Sequence, residues 1–209
     1  THEQHKKNYT NILNCATVYQ ISGEVKYANF VKDILLQYAQ KYKSWPIHPK
    51  SKNSKDGGRL FWQSLNDFVW QVYTIQGYDL VYDAISANDR KIIEQDLFTP
   101  ILKFFTEDRK EVLDKIHNHG TWNLAAVGMT GYVLNKPEYV KMAIYGSKLD
   151  GSTGYLAQIS QLFSPDGYYM EGPYYQRYAL LPFILFAKAI NNYQPEINIF
   201  DYRDKLLAK

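Results

Sequence analysis

The sequence is short of cysteine, of long apolar runs and of concentrated charge, and each shortage removes a class of function. A single cysteine, Cys15, among 209 residues excludes an internal disulfide and a zinc site built on cysteine pairs. It is expected to pack as a small apolar side chain. No run approaches the roughly 18 apolar residues that a membrane-spanning helix needs. The opening Thr1-His2-Glu3-Gln4-His5-Lys6-Lys7 lacks the apolar stretch of a signal peptide. Formal net charge is only +3 and the cations are scattered, so neither nucleic acid nor a membrane surface is expected as a partner, while an anionic ligand is tolerated.

What is present describes a folded chain. Hydrophobic residues make up 45% and charged residues 22%, far from the signature of disorder, and the length suits one domain with one core. Aromatics are abundant: 19 Tyr and 4 Trp, many beside polar residues. Such side chains bury a flat body and keep a polar tip, which suits a groove that stacks on sugar rings and equally suits tyrosine-filled helix interfaces.

Apolar spacing is helical nearly throughout. Helices are expected over residues 8–21, stopping at Gly23, and over 24–42, where Val31, Ile34, Leu35 and Tyr38 form one stripe; together they make a hairpin. Residues 44–58, with Pro46, Pro49, Gly57 and Gly58, read as a loop. Further helices are expected over 60–76, over 86–105 from a Ser86/Asp89 capping box, over 121–134 before the stop signals Asn135 and Pro137, and over 138–148, 155–162, 174–190 and 203–208. Only 163–170 has an extended or strand-like texture. The fold class is therefore all-α, and successive antiparallel helical hairpins suggest helices stacked about an axis in an incomplete (α/α) toroid. The last helix candidate runs to the end, so more chain is expected to follow.

Two segments carry candidate chemistry. In His117-Asn118-His119-Gly120-Thr121-Trp122-Asn123 a loop enters a helix, where unpaired backbone N–H groups attract carboxylates. Asn118 can add amide hydrogen bonds to such a carboxylate and His119 can act as a base; the plainer alternative is an N-cap and a packed histidine. His117 and His119 as metal ligands lack a third ligand at a standard spacing. In the second segment, Asp166 to Tyr178, Gly172-Pro173 is a natural helix entry that puts Tyr175 in the first turn, with Tyr174 and Tyr178 four apart and Tyr175 and Tyr178 three apart. A tyrosine titrates near 10 and needs a cation or helix start to act as a base, which Arg177 and the helix entry offer; packing is the alternative. Asp166 and Glu171 as a glycosidase pair would face opposite ways in an extended segment, and Glu171 is better read as bracing the turn. Arg59, Trp62 and Gln63 can line a sugar groove, although Trp62, Leu65, Phe68 and Val69 also read as the buried stripe of a helix.

Asn118-His119-Gly120-Thr121-Trp122 followed by Glu171-Gly172-Pro173-Tyr174-Tyr175-Gln176-Arg177-Tyr178 resembles the alginate lyases of the oligoalginate-lyase, heparinase II/III-like group, and the likeness extends to Lys26-Tyr27-Ala28 in the early hairpin. The resemblance implies that residues 1–209 are the helical catalytic domain of a longer polypeptide, truncated before a C-terminal antiparallel β-sheet domain that contributes a further histidine and tyrosine. By motif, Asn118 and His119 match residues that meet a uronate carboxylate and Tyr175 matches the catalytic tyrosine. Gln63, Arg177 and Tyr178 match substrate contacts, with Tyr174, the neighbour that a one-residue slip would select, and Trp122 as further substrate-binding candidates. The implied reaction is β-elimination on an anionic uronate polysaccharide or oligosaccharide, without metal or organic cofactor, in a bacterial periplasmic or secreted setting. A glycosaminoglycan lyase and a non-catalytic helical carbohydrate-binding domain are the competing expectations.

Overall fold

Helix α1 (His2–Ser22) begins earlier than its apolar spacing suggests, because the Thr1 side chain accepts from the Gln4 amide and caps it. It ends at Gly23, which takes the left-handed conformation (φ 70°). After this short turn, α2 (Val25–Tyr42) packs back on α1, burying Val31, Leu35, Tyr38 and Tyr42 at three- and four-residue spacing. The computed structural model describes residues 1–52 and 55–209; Asn53 and Ser54, inside the expected loop, lie outside the described residues. Two compact units emerge, Thr1–Asp108 and Arg109–Lys209. Among the described residues the structure is all-α, with one isolated antiparallel bridge between Phe163 and Tyr169.

In the first unit α3 (Ser64–Val81) packs on α1 and α2. It starts four residues later than expected. The cause is Asp67, 1% exposed, whose carboxylate accepts the backbone N–H groups of Arg59 (2.7 Å), Leu60 (3.2 Å) and Phe61 (3.0 Å). Those amides are satisfied without a helix, so residues 57–63 stay irregular. The expected stripe needs correcting accordingly: Phe68 is buried as expected, but Trp62 lies outside α3 and is 44% exposed, Leu65 and Val69 are half-buried, and Trp70 and Val72 join Phe68 in the core. Ser86 caps α4 (Ala87–Ile93) by accepting from the Asp89 amide. The helix continues through a π-turn (Glu94–Phe98), α5 (Thr99–Lys103) and a second π-turn (Phe104–Asp108). The first π-turn makes room for Pro100, whose ring would collide with a carbonyl of a regular α-turn.

The second unit is built around α7 (Asn118–Val133), against which α6 (Lys110–Leu113), α8 (Pro137–Tyr145), α9 (Tyr155–Leu162) and α10 (Pro173–Tyr193) all pack. From Gly120 to Gly131 every residue of α7 is buried. Gly128 permits the approach of α10: a Cβ there would lie 2.1 Å from the Phe186 ring. Asn135 (φ 52°) and Pro137 end α7 as their residue types suggest. Between α9 and α10 residues 163–170 form no strand but double back through a turn at 165–167, with Ser164 N–H donating to the Tyr168 carbonyl and Met170 N–H to the Leu162 carbonyl, both at 2.9 Å. The expected final helix does not form as a regular one: Arg203, Asp204 and Lys205 all have positive φ, and the Arg203 guanidinium donates to the Ile159, Ser160 and Phe163 carbonyls at the end of α9. No helix among the described residues is long and apolar enough to cross a membrane.

Candidate active site

The start of α7 is three residues earlier than expected, and His117 is its N-cap: extended in backbone, it accepts the His119 amide on Nδ1 at 3.3 Å. Because Nδ1 accepts, the neutral ring carries its proton on Nε2. Asn118 is the first helical residue and only 3% exposed. Its Nδ2 donates to Oε2 of Glu171 at 2.7 Å and its backbone N–H to Oε1 at 3.2 Å. Oε1 also accepts the Tyr169 hydroxyl at 2.8 Å, and His117 Nε2 lies 3.8 Å from Oε2. An anion is therefore built into the positive end of α7. Burial acts to raise the Glu171 pKa, but the hydrogen bonds from Tyr169 and Asn118, with His117 nearby, outweigh it and hold the carboxyl below its ordinary value. Burial, reinforced by that carboxylate, pushes the Tyr169 phenol well above its own.

A second set of bonds holds the turn from the other side. Gln158 of α9 is fully buried; its Nε2 donates to the Lys115 carbonyl (2.6 Å) and its Oε1 accepts from Thr121 Oγ1 (3.0 Å). Gly120 leaves the room: a Cβ there would sit 2.0 Å from the Lys115 oxygen and 2.7 Å from Gln158 Nε2. Upstream, Asp114 accepts the Ser147 amide (2.9 Å), the Ser147 hydroxyl and the Thr153 hydroxyl (2.7 Å), tying the turn to the loop before α9.

At the second helix start, Gly172 (φ 90°) is the N-cap and Pro173 the first residue of α10, so Tyr174 and Tyr175 fall in its first turn as expected. Both are exposed, Tyr175 by 46%, with their rings edge to face at 5.6 Å. The Arg177 guanidinium stands 5.7 Å from the Tyr174 ring. Tyr178 packs on Trp122 at 5.2 Å; Trp122 itself is buried, and its Nε1 has no hydrogen-bond partner among the described residues. His119 is half-buried, its ring 5.0 Å from that of His117.

Within the second unit the two helix starts are side by side. Asn118 and Trp122 are one turn apart on α7, Tyr175 and Tyr178 one turn apart on α10, and the Trp122–Tyr178 contact and the Glu171 bridge join them. Gln63 belongs to the first unit, where it is the N-cap of α3 without a side-chain cap bond. Asp166 sits exposed in the turn before Tyr168. Sequence reasoning missed Gln158, Asp114 and Tyr169. Their partners are 33–43 residues distant for the first two, and only the two-residue Tyr169–Glu171 spacing was open to a local reading.

The model of the alginate lyase family matches residues 2–207. The chain belongs to the alginate lyase family. Over all 209 residues it is 54% identical to an exo-oligoalginate lyase of Saccharophagus degradans and 52% identical to an alginate lyase of Stenotrophomonas maltophilia. It spans 28% of the length of each of these curated relatives. Both candidate helix starts lie within the family match, so the alginate-lyase assignment covers the segment that joins Asn118 to Tyr175.

Proposed function

We propose that this chain is the helical part, within an incomplete (α/α) toroid, of a polysaccharide lyase that cleaves alginate or oligoalginate by β-elimination. The observation that carries the reading is the Glu171 bridge, which sets the buried Asn118 amide beside the helix start that bears the exposed Tyr175 phenol.

The chemistry asks for two things. Removing the C5 proton of a uronate builds negative charge next to an ionised carboxylate, so that carboxylate must be met by donors; the Asn118 amide, through the Nδ2 hydrogen not given to Glu171, serves this role. The proton must then be moved. Tyr175, as phenolate, takes it from C5; the C4=C5 double bond forms as the C4–O4 bond breaks, and Tyr175 returns the proton to the leaving O4 when both lie on one face, as in mannuronate. His119 is the base for substrates whose C5 proton lies on the opposite face. Arg177, Tyr174, Tyr178 and Gln63 are assigned to substrate binding, and buried Trp122 to the same role through the Tyr178 ring that packs on it. The remaining catalytic groups are assigned to a β-sheet domain elsewhere in the polypeptide, and the compartment to the bacterial periplasm or exterior, where such polymers are met.

The test uses the full-length protein and oligoalginate. Tyr175→Phe removes the acid/base and should lower formation of the unsaturated, ultraviolet-absorbing product by about 10²- to 10⁴-fold with an unchanged circular dichroism spectrum. Near-parental product formation removes Tyr175 from the mechanism.

A further inference from the structure

We propose that Glu171 is a positioning residue that sets the direction of the Asn118 amide. The inference rests on the reading of Asn118 as the group that meets the uronate carboxylate, and it explains how a flexible amide is held ready for that task.

A terminal amide can rotate by half a turn and exchange its donor and acceptor sides. Asn118 is prevented from doing so. The Glu171 carboxylate has no proton to give, so the atom 2.7 Å from its Oε2 must be Nδ2, not Oδ1. The opposite oxygen accepts the Asn118 backbone N–H and the Tyr169 hydroxyl, so three donors converge on one carboxylate and fix it in turn. With one Nδ2 hydrogen committed to Glu171, the second lies in the amide plane at a fixed angle to the first. Donors that need no reorganisation as charge develops are the ones that stabilise a transition state. Glu171 also immediately precedes Gly172, the N-cap of α10, so the same side chain holds Asn118 in register with the turn that carries Tyr175.

An amide in place of this carboxylate cannot accept all three donors. If a glutamine oxygen takes the two donors at the Oε1 position, its NH2 faces Asn118 Nδ2 and two donors oppose each other. The Asn118 amide must then flip, turning its oxygen to the glutamine. Glu171→Gln therefore changes the orientation of Asn118 while keeping the size of the side chain at residue 171.

The experiment measures kcat, KM and thermal midpoint on oligoalginate for the full-length protein and its Glu171→Gln, Asn118→Ala and double variants. Glu171→Gln should lower kcat by about tenfold or more, with KM changed by less than about threefold, since the lost interaction serves the transition state. The double variant should be no slower than Asn118→Ala alone, because Glu171 acts through Asn118. A kcat for Glu171→Gln within about threefold of the parent, or a double variant whose loss is the product of the two single losses, overturns the proposal. Parental kcat in Asn118→Ala instead overturns the carboxylate-binding reading itself. Glu171→Asp, which keeps the charge but withdraws it by one methylene, is measured in parallel. It must show the same non-additivity with Asn118→Ala, so the question is decided even if Glu171→Gln folds poorly.

Discussion

Replacing Gly120 by alanine sets two effects of opposite sign against each other. Inside a helix, alanine is ordinarily better than glycine by about 1 kcal/mol, because glycine loses more backbone freedom on folding. At this position the added Cβ would lie 2.0 Å from the Lys115 carbonyl oxygen and 2.7 Å from Gln158 Nε2. Ordinary contact is well over an ångström longer, and the nearer atom is backbone, which cannot rotate aside. Crowding of this kind costs about 1–3 kcal/mol. Moving the carbonyl also breaks its buried hydrogen bond from Gln158, for about 1–3 kcal/mol more. The clash therefore wins, and Gly120→Ala should destabilise the protein by about 1–5 kcal/mol once the propensity gain is deducted. Urea unfolding of the full-length protein followed by tryptophan fluorescence measures it, with buried Trp122 two residues along reporting on the same turn. Activity should fall as well, since Asn118 is displaced with the turn. A variant as stable as the parent, or more so, would refute the claim that close approach of Lys115 and Gln158 holds this turn.

Asp67→Ala strands three backbone donors near the start of α3, and a loss of roughly 3–5 kcal/mol in denaturant unfolding is expected; a loss under about 1 kcal/mol would mean that water or other groups satisfy them. Glu171 titrates below its ordinary 4.5 in the folded state, so its contribution to stability is complete above that pH and disappears as pH falls through the lower folded value. The stability gap between the parent and Glu171→Gln should accordingly shrink as pH falls below 4.5 through the lower folded value, and a gap independent of pH contradicts this. Burial, aided by His2 and His48 nearby, pushes the His5 imidazole from 6.5 down to about 4. Between those values the unfolded chain binds a proton that the folded chain does not, so stability declines as pH drops from 6.5 to about 4. An NMR titration of His5 with a midpoint near 6.5 would contradict the burial.

Much of the fold was legible because it is local. The helical class follows from apolar spacing, the α1–α2 hairpin from its stripe and Gly23, the α4 start from Ser86 and Asp89, and the end of α7 from Asn135 and Pro137. Each of these signals acts over a turn or so of chain, which is the range over which residue type and spacing speak directly. The chemistry-bearing motifs were legible for the same reason: Gly172-Pro173 starts a helix wherever it occurs in such a context, and that puts Tyr175 in a first turn.

What the sequence by itself determined, then, was an all-helical chain with two helix starts bearing amide, imidazole and phenol groups. Tertiary structure decided where those helices begin and which way their side chains are held. Asp67 kept residues 59–61 out of α3, so Trp62 is exposed on an irregular segment. Glu171 took the Asn118 amide from 53 residues away, and Gln158 reached the Lys115 carbonyl across 43. A carboxylate or amide can satisfy backbone donors and acceptors wherever the packing of other helices delivers it, and spacing along the chain contains no record of that delivery.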